Sequence, residues 1–208
     1  MNAIRHILLA LVLTSGASAS AQPLSDAQLA EALRGGGYVI VMRHGATHPD
    51  QADTEPLNVE QPGNEAKQRH LNDKGRDAAR AMGESLHAMK VPVGLIVTSK
   101  LTRAQETARL MNVGALTTSW DITEGNQIVS PNENNRRAAA LRKMAATGPA
   151  PGTNTLIVTH KPNVIDAFGK DWFEVKEGEA SVFKPDGKGG FSPVARVQAA
   201  DWPKLARP

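Results

Sequence analysis

Three stretches of the chain carry side chains suited to an oxyanion: VMRHGAT at residues 41–47, SKLTRAQETA at 99–108 and VTH at 158–160. The first places Arg43, His44 and Gly45 where an apolar run stops. The second brings Arg103 four residues after Ser99, and the third ends in His160. A neutral imidazole is a competent nucleophile toward phosphorus and can carry a covalent intermediate. Guanidinium groups are always charged and present planar forks that match phosphate oxygens. A glycine directly after the histidine lets the backbone approach a ligand and offer its N–H. The expected chemistry is phosphoryl transfer, with His44 as nucleophile and Arg43, Gly45, Arg103 and His160 around the phosphate.

These residues need elements that bring them together. Residues 38–42, 93–98 and 155–159 are apolar, β-branched runs that read as strands, and each stops at one of the three stretches. Helical periodicity covers residues 73–90, 102–111 and 134–147, and a short amphipathic helix at 25–34 exits into Gly35-Gly36-Gly37. Thr102-x-x-Gln105 has the form of a capping box. Residues 46–69 are polar, contain three prolines, and form a long loop. Residues 180–184 and 191–197 flank PDGKGG and predict an antiparallel hairpin. Strands alternating with helices predict an α/β fold with a mostly parallel central sheet, helices on both faces and a C-terminal antiparallel hairpin. Ligands of such sheets sit at the carboxyl ends of the strands, so Arg43, His44, Arg103 and His160 should meet at one rim. Arg103 would lie in the first turn of its helix, where an anion is favoured.

Composition narrows the functional classes. With 24 basic and 21 acidic residues the formal net charge is +3, the basic residues are scattered, and aromatics are only 4% of 208 residues. No basic stripe with interleaved aromatics appears, so no nucleic-acid partner is expected. There is no cysteine, hence no disulfide or thiolate metal site. His44, His48, Asp50 and Asp53 cluster in sequence, but their spacing fits no familiar ligand pattern, and two nearby arginines would repel a dication. No metal and no cofactor are expected. His48, Arg69, His70 and His87 read as loop and helix surface. Residues 1–21 have one arginine, a short apolar segment and a final Ala-Ser-Ala. That pattern predicts a signal peptide cut after Ala21 and a periplasmic or secreted protein. The apolar segment is much shorter than the about 20 residues that span a bilayer, so no stable membrane insertion is expected. Residues 22–208 should form a single domain.

Taken together and in this order, RHGAT, SKLTRAQETA and VTH resemble the three signature segments of the histidine phosphatase (phosphoglycerate-mutase-like) superfamily. RHLNDKGRDAA at 69–79 extends the likeness, and EGEASVFKPDGKGGF at 177–191 is similar to a small exported subset of it. The resemblance implies that His44 accepts the phosphoryl group, that Arg43, Arg103 and His160 bind it, and that Thr47 also contacts it. It further implies a carboxylic acid downstream of the second arginine; Glu124 in Ile122-Thr123-Glu124 is the first choice and Asp121 the second. Lys161-Pro162 stands where many members have glycines, and Ala46 replaces a larger polar residue of the mutases, which argues against a glycolytic mutase. The expected activity is hydrolysis of phosphate monoesters on a sugar phosphate or a phosphorylated envelope glycan, or else action on a protein phosphohistidine or envelope glycan without a true general acid. The alternative is a phosphate- or sugar-phosphate-binding module on the same fold, without efficient turnover. The oligomeric state does not follow from the sequence.

Overall fold

The computed structural model describes residues 24–56, 58–125 and 128–207. The expected signal peptide at 1–21 lies outside them. A six-stranded sheet has the order β3-β2-β4-β1-β5-β6, built from β1 (Val39–Arg43), β2 (Val93–Ser99), β3 (Leu116–Ser119), β4 (Asn154–Thr159), β5 (Ala180–Pro185) and β6 (Phe191–Val197). The first four strands are parallel to one another, and β5 and β6 form an antiparallel hairpin added beside β1.

Alternation along β1 explains the layers. Ile40 and Met42 point to one face, where α1 (Asp26–Gly35), α2 (Asp73–Ala88), α3 (Thr102–Met111) and α6 (Trp202–Leu205) supply Leu33, Leu86, Met111 and Trp202. Val39 and Val41 point to the other, against Leu141 of α4 (Pro131–Ala146) and Val164 of α5 (Lys161–Phe168). Each such side chain, once fully buried, contributes about 1.5–3 kcal/mol of hydrophobic stabilisation.

Four elements depart from the sequence expectation. β3 is a four-residue edge strand, LTTS, with no apolar run to announce it. α4 begins at Pro131, earlier than the periodicity indicates, because Ser130 caps it by accepting the Glu133 N–H and a proline suits the first turn. α5 follows His160 at once, with Pro162 in its first turn. The expected capping box of α3 is absent: Leu101 is the cap residue, and Gln105 donates instead to the Lys100 carbonyl.

Register sets the site. β1 and β4 run in step from Val39↔Thr155 to Arg43↔Thr159, and β2 is paired to β4 up to Thr98↔Val158. The three central strands therefore end side by side, and the His44 N–H donates to the Thr159 carbonyl at 3.0 Å. Gly75 in the first turn of α2 lets that helix touch the segment after β1, since a Cβ there would lie 2.1 Å from the Ala46 carbonyl oxygen. Gly45 meets the same turn from the other side, its hypothetical Cβ 3.0 Å from the Gly75 carbonyl oxygen.

Candidate active site

His44 is almost wholly buried, 1% exposed, at the end of β1. Its Nδ1 lies 2.8 Å from the Gly45 carbonyl oxygen. A carbonyl only accepts, so the proton sits on Nδ1 and the Nε2 lone pair is left for chemistry. Burial, and then the charge of Arg103, push the His44 pKa well below its ordinary value, with Arg43 and Arg69 adding in the same direction. The imidazole is therefore neutral at pH 7, the form a nucleophile needs.

His160 is fully buried at the end of β4, its ring centroid 5.1 Å from that of His44. Burial and then Arg103 push its pKa well down too, so it carries one proton. Ser99, at the end of β2, accepts the Leu101 N–H at 3.1 Å and places its Oγ 2.6 Å from His160 Nε2. Its hydroxyl proton is then available to Nε2, which assigns the imidazole proton to Nδ1. Nδ1 in turn lies 3.4 Å from Glu124 Oε2.

Arg103, in the first turn of α3, is 0% exposed and bonds two carboxylates: Nη1 to Asp53 and Nη2 to Glu124, both at 2.9 Å. Glu124 is held by the segment between β3 and α4. The Ile122 carbonyl accepts from Thr159 Oγ1, and the Thr123 carbonyl accepts from Arg137 Nη1, each at 2.7 Å. Arg43 donates through Nη1 to the Val175 carbonyl at 3.0 Å and pairs through Nη2 with Glu177 at 3.4 Å. The EGE run at 177–179 therefore buttresses this turn: the Gly178 N–H donates to the His44 carbonyl at 2.8 Å, and the Arg43 N–H to the Glu179 carbonyl at 3.1 Å.

A pocket of about 390 Å³ opens above these groups. Arg43, His44, Arg69 and Glu124 line one side, and Lys161, Pro162, Ile165 and Asp166 of α5 line the other. Arg103 and His160 lie in contact with Glu124, behind it.

The expected residues thus divide. Arg43, His44, Arg103, His160 and Glu124 are brought together. Asp121 is not: it pairs with Arg136 at 2.6 Å and does not line the pocket. The Gly45 N–H, expected to face the ligand, donates at 3.0 Å to Thr107 Oγ1, whose own proton goes to the Arg103 carbonyl. Gly45 thereby ties the β1 turn to α3. Thr47 donates at 2.7 Å to Glu177, the partner of Arg43, so it acts on that arginine from behind. Arg69, read from sequence as surface, is a pocket residue. Its signal was the RHLNDKGRDAA stretch, where it stands just before α2. Asp53 has the Arg103 guanidinium and the Arg69 N–H as partners.

An α/β sheet whose three central strands end in these groups defines a class. Residues 39–125 match the family model described as histidine phosphatase superfamily (branch 1). Residues 39–125, under half of the chain, carry that likeness. Arg43, His44, Asp53, Arg69, Arg103 and Glu124 fall inside the matched residues, and β4 brings His160 from beyond them. Over 74 residues the chain is 31% identical to the mitochondrial serine/threonine-protein phosphatase Pgam5 of Drosophila grimshawi, covering 36% of this chain and 22% of that protein. The chain thus spans under a quarter of the length of that curated relative. Solved structures that share the fold include two phosphatases. The protein histidine phosphatase SixA complexed with tungstate has a TM-score of 0.55 at 17% identity, covering 79% of this chain and 98% of that one. The mycobacterial glucosyl-3-phosphoglycerate phosphatase with VO3 has a TM-score of 0.54 at 16% identity, covering 76% and 96%.

Proposed function

We propose that the protein is an exported, metal-independent phosphatase that hydrolyses phosphate monoesters through a phosphohistidine on His44. The observation that carries this reading is a set of buried nitrogens with nothing to bond. Of seven buried side-chain polar atoms without a partner among the described residues, four are Arg43 Nε, Arg69 Nε, Arg103 Nε and His160 Nδ1. A buried donor left unpaired costs about 1–3 kcal/mol. Arg43 and Arg69 line the pocket and Arg103 and His160 stand behind Glu124, so a phosphoryl group that displaces Glu124 would give these nitrogens the oxygens they lack.

In the first step His44 Nε2 attacks phosphorus and the bond from phosphorus to the leaving-group oxygen breaks. The arginines and His160 hold the equatorial oxygens as charge spreads over them, stabilisation that is preorganised and shielded from water. The phosphoryl group takes the place of Glu124 on Arg103 Nη2, and the freed Glu124 carboxylate takes up the proton that the monoester brings as its monoanion and passes it to the departing oxygen. In the second step Glu124 takes a proton from water, which attacks the phosphohistidine and releases inorganic phosphate and neutral His44. Proton transfer of this kind contributes ~10²–10⁴-fold.

The pocket volume suits a small or terminal phosphorylated group. Its α5 side mixes Lys161, Pro162, Ile165 and Asp166, so the leaving group would rest on a surface with an apolar centre and both charges at its edge. A sugar phosphate or a phosphorylated envelope glycan fits that surface. No helix among the described residues is long and apolar enough to cross a membrane. Export, cleavage after Ala21 and a single domain over residues 22–208 belong to the same proposal, supported by the signal-peptide pattern. N-terminal sequencing of the protein recovered from the cell envelope fraction tests that part. Independence of metal is supported by three guanidinium groups around the pocket, which repel a dication. Hydrolysis of p-nitrophenyl phosphate that continues in EDTA and disappears in His44→Ala is the expected result. Loss of activity in EDTA, or activity retained without His44, would overturn it.

A further inference from the structure

We propose that Asp53 is a positioning residue that decides which edge of the Arg103 guanidinium meets the phosphoryl group; the inference rests on the phosphatase reading above. Arg103 offers its five N–H bonds in a rigid plane. Nη2 and the Nε–H point the same way within that plane and form one two-donor edge, the kind that grips an oxyanion with parallel bonds. Asp53 takes Nη1, the nitrogen outside that edge, at 2.9 Å. On the edge itself, Nη2 holds Glu124 at 2.9 Å and Nε is buried with no partner among the described residues.

The two carboxylates are placed differently. Glu124 lines the pocket, so an entering phosphoryl group reaches it first. Asp53 is not among the lining residues, and its side chain is only 9% exposed. The same Oδ1 that accepts from Arg103 also accepts the Arg69 N–H at 2.9 Å. One oxygen therefore fixes the guanidinium of one pocket arginine and the backbone of another. Asp53 itself sits in the segment between β1 and α2, fastened on either side by the His70 N–H on Gln51 Oε1 and the Thr54 N–H on the Lys67 carbonyl, each at 2.9 Å. An exchange follows: substrate replaces Glu124 on Nη2 and engages Nε, while Asp53 stays on Nη1. Without Asp53, the Nη1–Nη2 edge can close end-on around Glu124, and the productive edge is lost.

Electrostatics alone predicts the opposite sign. Removing a negative charge beside Arg103 would tighten binding of any anion. Orthovanadate titrated by calorimetry into the mature chain, with no turnover involved, separates the two. Positioning predicts that Asp53→Ala binds vanadate at least tenfold more weakly. It predicts that Asp53→Asn, which keeps an acceptor oxygen for both donors, stays within about threefold of the parent. Tighter or unchanged binding in Asp53→Ala, or a tenfold gain in Asp53→Asn, would overturn the role of Asp53 and leave the phosphatase reading intact. No vanadate binding by the unmodified chain would overturn both. If Asp53→Ala does not fold, the asparagine variant decides: retained affinity supports positioning, and a tenfold change in either direction rejects it. Turnover gives a second readout, since Asp53→Ala should raise KM and lower kcat together while Asp53→Asn restores both.

Discussion

Ser99 Oγ stands 2.6 Å from His160 Nε2 and thereby turns Nδ1 of that imidazole toward Glu124. With the Leu101 N–H donating to Ser99, the hydroxyl proton goes to Nε2 and the imidazole proton stays on Nδ1, toward Glu124 and any bound phosphoryl group. Ser99→Ala removes this control. A neutral hydrogen bond contributes about 0.5–1.5 kcal/mol, so kcat should fall by about three- to tenfold with a smaller change in KM. Steady-state kinetics on an aryl phosphate measure it. An unchanged kcat would mean that the tautomer is fixed by something else.

Glu124 is tied to Arg103 before substrate arrives, and its proposed second task is to protonate the leaving oxygen. Glu124→Gln keeps the shape and removes the proton. Alkyl or sugar phosphates, whose leaving groups need that proton, should slow by about 10²-fold or more, whereas p-nitrophenyl phosphate should slow much less. Equal slowing of both substrates would remove Glu124 from the acid role.

Arg69 is the pocket arginine for which no carboxylate lies within ion-pair distance among the described residues, whereas Arg43 has Glu177 and Arg103 has Asp53 and Glu124. Its guanidinium can meet a substrate oxygen without first giving up a carboxylate. Charge-assisted hydrogen bonds contribute about 1.5–3 kcal/mol, so Arg69→Ala should lower kcat/KM by about ten- to a hundredfold. The melting temperature should change little. A change in stability as large as the change in rate would make Arg69 structural instead.

How much of this was legible in the chain can be judged residue by residue. His44, Arg103 and His160 could be placed because each follows an apolar strand, and parallel strands in register bring such ends together. Arg69 could not be placed by pattern: it sits at the close of a polar, proline-bearing loop where no periodicity reports direction. Asp53 lies in the same loop, and nothing local shows that its partner stands fifty residues on in α3. The sequence puts Gly45 beside the ligand through its backbone N–H, and the resemblance puts Thr47 there. Their hydrogen-bonding groups go to Thr107 and Glu177, a destination fixed by tertiary packing. β3 escaped because a half-exposed edge strand of four residues carries little hydrophobic signal.

Acid should weaken the fold through both histidines. Burial and then Arg103 hold their pKa values well below the ordinary about 6.5 of an exposed histidine, which they regain on unfolding. Between the lowered folded values and about 6.5 the unfolded chain binds more protons, so stability rises with pH through that window. The contribution is complete above pH ~6.5 and is lost as pH falls toward the folded values. Urea midpoints measured from pH 8 to pH 5 in an anion-poor buffer should decline below about 6.5. His160→Gln should flatten that decline. A midpoint indifferent to pH, or one that rises on acidification, would contradict the neutral buried pair.

A covalent phosphohistidine on His44 is the step on which the proposed mechanism turns, and it can be trapped. The protein is mixed with a ³²P-labelled monoester in EDTA and quenched in alkali, where phosphohistidine survives and phosphoserine or phosphothreonine does not. Alkali-stable, acid-labile label is expected on the peptide containing His44, with its loss on chase with unlabelled substrate and no label in His44→Ala. Turnover without any such label, or label that persists in the alanine variant, would contradict it.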